Sequence, residues 1–181
     1  CGFTPIEDML ETGSYLEGEE RRPMKLSMRK LFREGLLGKG VVSDWLALPL
    51  TVSGATGHAL KMLQELWDGA GVILTSGGGG GIESGKPGGA LVPGAAVSAA
   101  LLTGDITMGG TGTLTWRDGD RILAFGHPMM GLGDVEIPMC EADIITTVPS
   151  YQRPFKMSNM RRTTGTVTED RLSAIAGIVG P

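Results

Sequence analysis

The residues best suited to catalysis lie where a predicted β-hairpin ends, at residues 112–128. The Asp-Gly dipeptide at 118–119 is typical of a two-residue type I′ turn, so the segments on either side are expected to pair as antiparallel strands. The second strand runs directly into His127. A histidine that a strand positions and a loop exposes can act as a general base, because its pKa lies near neutral pH. A structural histidine that hydrogen-bonds the turn is the alternative.

Two short motifs in this hairpin resemble the SpoIVB-type (sporulation-peptidase-like) serine peptidases. Residues 112–115 read Gly-Thr-Leu-Thr and residues 124–127 read Ala-Phe-Gly-His, like the paired strands that lead to the Gly-His pair of that family. The resemblance implies that His127 is the general base of a serine peptidase and that the fold is a trypsin-like, two-barrel β architecture. Residues 2–10 also resemble a stretch that follows the serine motif in longer bacterial members.

The nucleophile of that family is a serine in a Gly-x-Ser-Gly-Ser-Pro motif, whose glycines allow a tight turn with backbone amides facing an oxyanion. The 181 residues contain no such motif. We therefore expect the serine outside this sequence, either before Cys1 as in the longer bacterial members or after Pro181 as in the sporulation enzymes. Asp170 matches an acidic residue that could orient the histidine in a catalytic triad. A surface acid paired with Arg171 is the alternative.

Three other side chains could supply a nucleophile. Ser158 has no flanking glycines, which indicates an ordinary loop serine, and Cys140 lies in a strand context typical of a buried thiol. Cys1 could use its own amine as base if it were a processed N-terminus, although an arbitrary fragment start gives the same sequence. A disulfide between the two cysteines is compatible with their number but has no support from their spacing.

The sequence predicts neither a metal nor a cofactor. A cluster of acids follows His127, but strand-like spacing puts its carboxylates on mixed faces, whereas catalytic zinc usually needs three converging ligands. We interpret the cluster as a polar strand edge; it comprises Asp134, Glu136, Glu141 and Asp143. The five glycines at 77–81 lack the Gly-Lys-Ser/Thr ending of a phosphate-binding loop.

Composition argues against two further classes of protein. A net charge of −4 and a pI near 5.2 do not provide the basic surface that a general nucleic-acid binder needs, so no nucleic-acid partner is expected. The basic clusters are short and lie beside acids or polar residues, which is typical of solvated faces. No apolar run approaches the roughly 20 residues of a membrane helix, so we expect no transmembrane segment in this chain.

Residues 1–75 are predicted to form an N-terminal α/β segment of the domain. A threonine N-cap followed by proline and glutamate predicts a helix over 4–13, and apolar residues at helical spacing predict a second helix over 59–67. His58 lies in the first turn of the second helix, where we expect a surface or capping histidine. Pro49 is expected to place its strand at a sheet edge. The strands are predicted at 46–52 and 72–75, with a loop-rich connection at 14–40.

Residues 76–90 are predicted to be a glycine-rich linker or loop, because such tracts behave as random coil. The β-rich segment 91–181 comes next and carries the histidine motif. The expected fold class is α+β, mainly antiparallel β. The strand-like stretches of this second half are 97–102, 111–116, 121–125, 144–148, 164–168 and 175–179.

Two functions are compatible with these features. The first is a fragment of a bacterial serine endopeptidase domain that acts outside the cytoplasm on a peptide or protein substrate. Because the nucleophilic serine would come from flanking segments of the same protein, the isolated chain should be inactive. The second is a catalytically inactive binding or structural module of the bacterial envelope on the same fold.

Overall fold

A computed structural model describes residues 4–14, 48–68, 72–77, 90–149 and 155–180. Within these residues, two short helices accompany one eight-stranded, mainly antiparallel sheet, which confirms the α+β, mainly β prediction. Neither helix of this described part is long and apolar enough to cross a membrane. The elements are α1 (Ile6–Ser14), β1 (Leu48–Ser53), α2 (Gly57–Leu66), β2 (Val72–Ser76), β3 (Ala96–Leu102), β4 (Thr107–Asp118), β5 (Arg121–Ala124), β6 (Gly133–Val148), β7 (Phe155–Asp170) and β8 (Ile175–Val179).

Strand β1 connects the first half of the chain to the second. It pairs in parallel with β2, as expected for two strands joined by the crossover helix α2, and it pairs antiparallel with β4. Strand β1 is therefore internal, and the prediction that Pro49 marks a sheet edge is wrong. Pro49 is tolerated because pairing with β4 begins only at Thr51, so its missing N–H interrupts no bond of that ladder.

Six strands form a closed circuit of antiparallel pairings. Strand β4 pairs with β3 and β5, β5 with β8, β8 with β7, β7 with β6, and β6 with β3. Their buried side chains form the main core together with those of β1 and β2, and a fully buried Leu or Ile in it contributes roughly 1.5–3 kcal/mol. The core residues that these strands supply include Val97, Leu114, Ile122, Ile137, Met139, Val167 and Ile175.

The β4–β5 hairpin forms as predicted, but its turn is displaced by one residue. Asp118 pairs with Arg121, so the two loop residues are Gly119 and Asp120. Gly119 has a φ of 57°, and Phe125 is the one non-glycine residue with positive φ in the described part of the chain. A type I′ turn centred on 118–119 is therefore wrong, because glycine leads the loop as in type II′ turns.

The predicted strands 144–148 and 164–168 belong to two much longer strands. Strands β6 and β7 are 16 residues each and pair along most of their length through four register shifts. These irregularities break the alternation of apolar and polar residues on which the sequence-based prediction depended. Ser158 lies buried within β7, so its prediction as a loop serine is wrong.

Both helices are confirmed, and His58 is exposed in the first turn of α2 as expected. The predicted connection at 14–40 lies outside the described residues beyond residue 14, and the predicted linker lies outside them over residues 78–89. The division of the chain at residues 76–90 therefore stays a prediction.

Candidate functional site

The histidine turn begins with an unusual backbone conformation at the end of β5. Phe125 has a φ of 75° and Gly126 a φ of 71°, so two successive left-handed residues direct the chain out of the strand. The Phe125 N–H donates to the Thr113 carbonyl at 3.0 Å. A bulky residue in this conformation costs on the order of 1–3 kcal/mol and persists only where its surroundings enforce it.

A glycine on β4 provides the space in which the Phe125 ring packs. A Cβ atom added at Gly112 would lie 2.2 Å from Cδ1 of Phe125, so the ring packs directly on the bare backbone of the opposite strand. Only glycine allows this approach at this position. Gly112 and Phe125 together therefore fix the direction in which the chain leaves β5 and reaches His127.

The His127 ring is half-buried and held by its own turn. Its Nδ1 atom lies 2.7 Å from the Pro128 carbonyl oxygen, and its ring centroid lies 5.7 Å from that of Phe125. A carbonyl oxygen can only accept, so this hydrogen bond requires the proton on Nδ1. In the neutral ring the lone pair is then on Nε2. This tautomer has the proton-accepting nitrogen that a general base needs.

The Asp170 carboxylate is buried beneath the same turn, with 1% of the residue exposed. Its Oδ1 accepts the Met129 N–H at 2.8 Å, and its Oδ2 accepts those of Met130 at 2.8 Å and Leu132 at 3.4 Å. The alternative of a surface acid paired with Arg171 is wrong. Arg171 instead pairs with other carboxylates, those of Asp134 and Glu169.

A single peptide group connects Asp170 with His127. The carbonyl of Pro128 accepts from the imidazole, and the N–H of the same peptide unit, on Met129, donates to Asp170. Hydrogen bonds in series polarise one another, so the carboxylate makes this carbonyl a stronger acceptor for Nδ1. The hydrogen bonds that the structure gives Asp170 all go to backbone amides. Any orientation of the ring by Asp170 therefore passes through this peptide.

Two opposing effects act on the pKa of Asp170. Burial raises the pKa of this carboxyl above its ordinary value of 3.8, because the charged form loses its hydration. The backbone amides of the turn, led by Met130 and Met129, lower it by stabilising the charge. Burial outweighs the amides, so the pKa is raised. The hydrogen bonds that organise the turn are therefore made to a carboxylate whose charge is disfavoured.

Two of the other candidate nucleophiles, Cys140 and Ser158, are buried. Cys140 is a free, buried thiol, as expected, and burial raises its pKa, which makes it a poor nucleophile. Ser158 is 2.6 Å from the Thr111 hydroxyl, which is 2.5 Å from that of Ser98, so three hydroxyls form a chain across β7, β4 and β3. No local pattern predicts this chain, which depends on long-range strand order. Cys1 lies outside the described residues.

Three of the four acids after His127 form ion pairs with arginines. No group of three or more His, Cys, Asp or Glu side chains in the described ranges is arranged to hold a metal ion. The ion pairs join Asp134 to Arg171, Glu141 to Arg162 and Asp143 to Arg161. Arg161 and Arg162 on β7 thus form ion pairs with acids of the neighbouring strand β6.

A cavity of about 180 Å³ adjoins His127. Lys156 and Thr113 line it, and the lysine ammonium donates to the threonine hydroxyl at 2.6 Å. Sequence reasoning gave neither residue a role in the site, although Thr113 belongs to the Gly-Thr-Leu-Thr motif. No motif singles out a lysine at the start of β7, and its position beside β4 results from the order of strands in the sheet.

No protein-family model, curated protein or solved structure matches this chain. The resemblance of the hairpin to SpoIVB-type peptidases thus stays a hypothesis.

Replacement of Gly112 by alanine should disorder the histidine turn. The new Cβ would meet the Phe125 ring, and overpacking of this kind costs about 1–3 kcal/mol in the free energy of unfolding. Gly110→Ala is the matched control on the same strand, since its Cβ would lie 3.3 Å from the flexible sulfur of Met129. Denaturant unfolding measures both; equal stability of the two variants would contradict the close-packing account.

The pH dependence of stability should reveal which effect dominates at Asp170. Because its pKa is raised in the folded state, the stability that Asp170 contributes is fully present below pH 3.8 and is lost as the pH rises through the raised pKa. The advantage of the wild type over Asp170→Asn, measured by denaturant unfolding, should therefore shrink from acidic to neutral pH. Asp68→Asn, at an exposed position, is the control. An advantage that grows with pH would mean that the amide hydrogen bonds outweigh burial.

Proposed function

We propose that the chain is part of a SpoIVB-like serine peptidase domain in which His127 is the general base. The observation that carries this proposal is the hydrogen-bonded series from Asp170 through the Pro128–Met129 peptide to Nδ1 of His127. It keeps the proton on Nδ1, so that Nε2 is the accepting nitrogen, and it connects the ring to a buried carboxylate through one peptide, whereas the carboxylate of the Ser-His-Asp triad accepts from Nδ1 directly. Asp170 is a positioning residue here.

The reaction needs a serine that the 181 residues do not contain in the family's motif. His127 Nε2 would take the proton from that serine hydroxyl while its oxygen attacks the carbonyl carbon of a peptide bond. The imidazolium would then give the proton to the departing amine. Water, deprotonated by the same ring, would hydrolyse the acyl-enzyme and return the serine. The proposal includes a bacterial protein that acts outside the cytoplasm on a peptide or protein substrate.

The closed circuit of pairings among β3–β8 supports the proposal that these strands form a β-barrel of the trypsin-like kind.

The contacts at the two ends of the described chain favour a serine that precedes Cys1 over one that follows Pro181. The Thr4 hydroxyl donates to the carbonyl of Gly126, next to His127. Val179 instead bonds to Asp120, at the opposite end of β5. Thr4, and not the end of β8, thus lies beside the histidine turn.

A binding or structural module of the bacterial envelope is the second candidate. The absence of a Gly-x-Ser-Gly-Ser-Pro motif in this sequence favours it. The same turn would then serve stability, and His127 would hydrogen-bond its loop without chemistry. The two candidates differ in what the flanking coding sequence contains, because only the peptidase requires the serine motif there.

Hydrolysis by a chain extended through its native flanking sequence tests the proposal. His127→Ala should lower kcat at least ~10²-fold with little change in stability, because a general base acts in the transition state. Asp170→Asn should lower kcat by an intermediate factor and leave KM nearly unchanged, since it acts through the ring. Casein and peptide substrates provide the assay, and His58→Ala is the histidine control.

Three results would overturn this assignment. One is wild-type hydrolysis by His127→Ala with an earlier melting temperature, as expected of a structural histidine. Another is robust hydrolysis by residues 1–181 alone that survives Cys1→Ala. The third is flanking sequence without the serine motif on either side, which would leave the binding module as the function.

A further inference from the structure

Strand β4 has a gap in its pairing beside His127. Its ladder with β1 ends at Gly109, and its ladder with β5 begins at Leu114. Between them, residues 110–113 pair with β3 on one side, while the cavity of about 180 Å³ lies against them. The carbonyl of Thr113 is taken by Phe125, but the stretch still presents strand backbone to the cavity. An extended peptide can add to such a segment by backbone hydrogen bonds.

The cavity carries positive charge, and the described residues that line it include no carboxylate. Its ionisable lining residues are Lys156 and His127, and the remainder of its wall is apolar side chain, threonine and glycine backbone. Two aromatic rings, those of Phe125 and Phe155, contribute to this wall. Because an apolar wall lowers the local dielectric, a charge on Lys156 acts more strongly here than on an open surface.

Lys156 has hydrogen-bonding capacity left for a ligand. Its ammonium has three donors, and the structure gives it one bond, to the Thr113 hydroxyl at 2.6 Å. In the described part of the chain no carboxylate forms an ion pair with it. The acids of the adjacent strand instead pair with Arg161 and Arg162. A half-buried cation that is held toward a cavity, with no counter-ion among the described residues, is suited to an anionic ligand.

We propose that this cavity is a subsite for a carboxylate carried by an extended peptide. The Lys156 ammonium would pair with the carboxylate, and β4 at 110–112 would bond the peptide backbone. Thr113 is the positioning residue, because its hydroxyl holds the ammonium in the cavity. The inference rests on the proposed peptide-processing function for the class of ligand. The carboxylate can come from an acidic side chain or from a peptide C-terminus, which share this chemistry.

Calorimetric measurement of the binding of two pairs of peptides to residues 1–181 tests the inference. The first pair has blocked termini and carries either a central glutamate or a glutamine in its place. The second pair is an alanine peptide with either a free C-terminus or a C-terminal amide. At least one charged peptide should bind about tenfold more tightly than its neutral counterpart, as a charge-assisted hydrogen bond provides. The pair that shows the preference identifies the source of the carboxylate.

Lys156→Met should abolish this preference, whereas Lys61→Met, an exposed lysine on α2, should retain it. Thr113→Val should weaken it by releasing the ammonium. Circular dichroism checks folding, and Lys156→Gln replaces the methionine variant if that variant unfolds. Equal binding of charged and neutral peptides to the wild type, or a preference that survives loss of the lysine charge, would overturn the subsite.

This experiment separates the subsite from the peptidase proposal, since it measures binding and not hydrolysis. Absence of a charge preference, together with His127-dependent hydrolysis by the extended chain, would overturn the subsite and leave the peptidase. A Lys156-dependent preference without any such hydrolysis would support the subsite and favour the binding module.

Discussion

The turn that carries His127 depends on one buried carboxylate. Asp170 accepts three backbone N–H groups of residues 129–132, which a loop leaving a sheet would otherwise have to pair with water. One of these groups belongs to the peptide whose carbonyl binds the imidazole. The tautomer of the His127 ring and the shape of the turn that follows it thus depend on the same interaction. Burial opposes it, because the carboxylate gives up hydration that the amides only partly replace.

The sheet supplies the second constraint on this turn. Phe125 is held in a left-handed conformation by its N–H bond to Thr113 and by its ring on Gly112. The strain of this residue is sustained by β4 on one side, while Asp170 at the end of β7 holds the loop after it. The turn is therefore specified from two strands that are remote in sequence. The cavity beside it is bounded by the same strands, which places Lys156 near the histidine.

Local patterns in the sequence predicted the parts of this site that local chemistry determines. The Asp-Gly dipeptide was sufficient for the hairpin, and the Gly-His pair for a histidine at the exit of its second strand. The turn lies one residue later than predicted, because the pairing between the two strands determines the register of the hairpin and the dipeptide alone does not. The predictions of a sheet edge at Pro49 and of a loop at Ser158 were wrong for a related reason. Strand β1 pairs with β4, and Ser158 bonds to Thr111 on β4, and this strand is distant from both residues in sequence.

The contacts of Asp170 lay beyond prediction from the sequence. Its partners are 38 to 41 residues away in the chain and are backbone amides, which leave no signature in side-chain identity. The same is true of Lys156, whose bond to Thr113 spans 43 residues. The order of strands around the circuit brings these groups together, and this order was not accessible from hydrophobic periodicity.

Amide hydrogen exchange tests the central claim most directly. If Asp170 organises the turn, the amides of Met129, Met130 and Leu132 should be protected in the wild type and exchange markedly faster in Asp170→Asn, with the amides of β3 unchanged as the internal reference. Equal exchange of these three amides in the two proteins would contradict the account, because the turn would then hold its shape without the carboxylate.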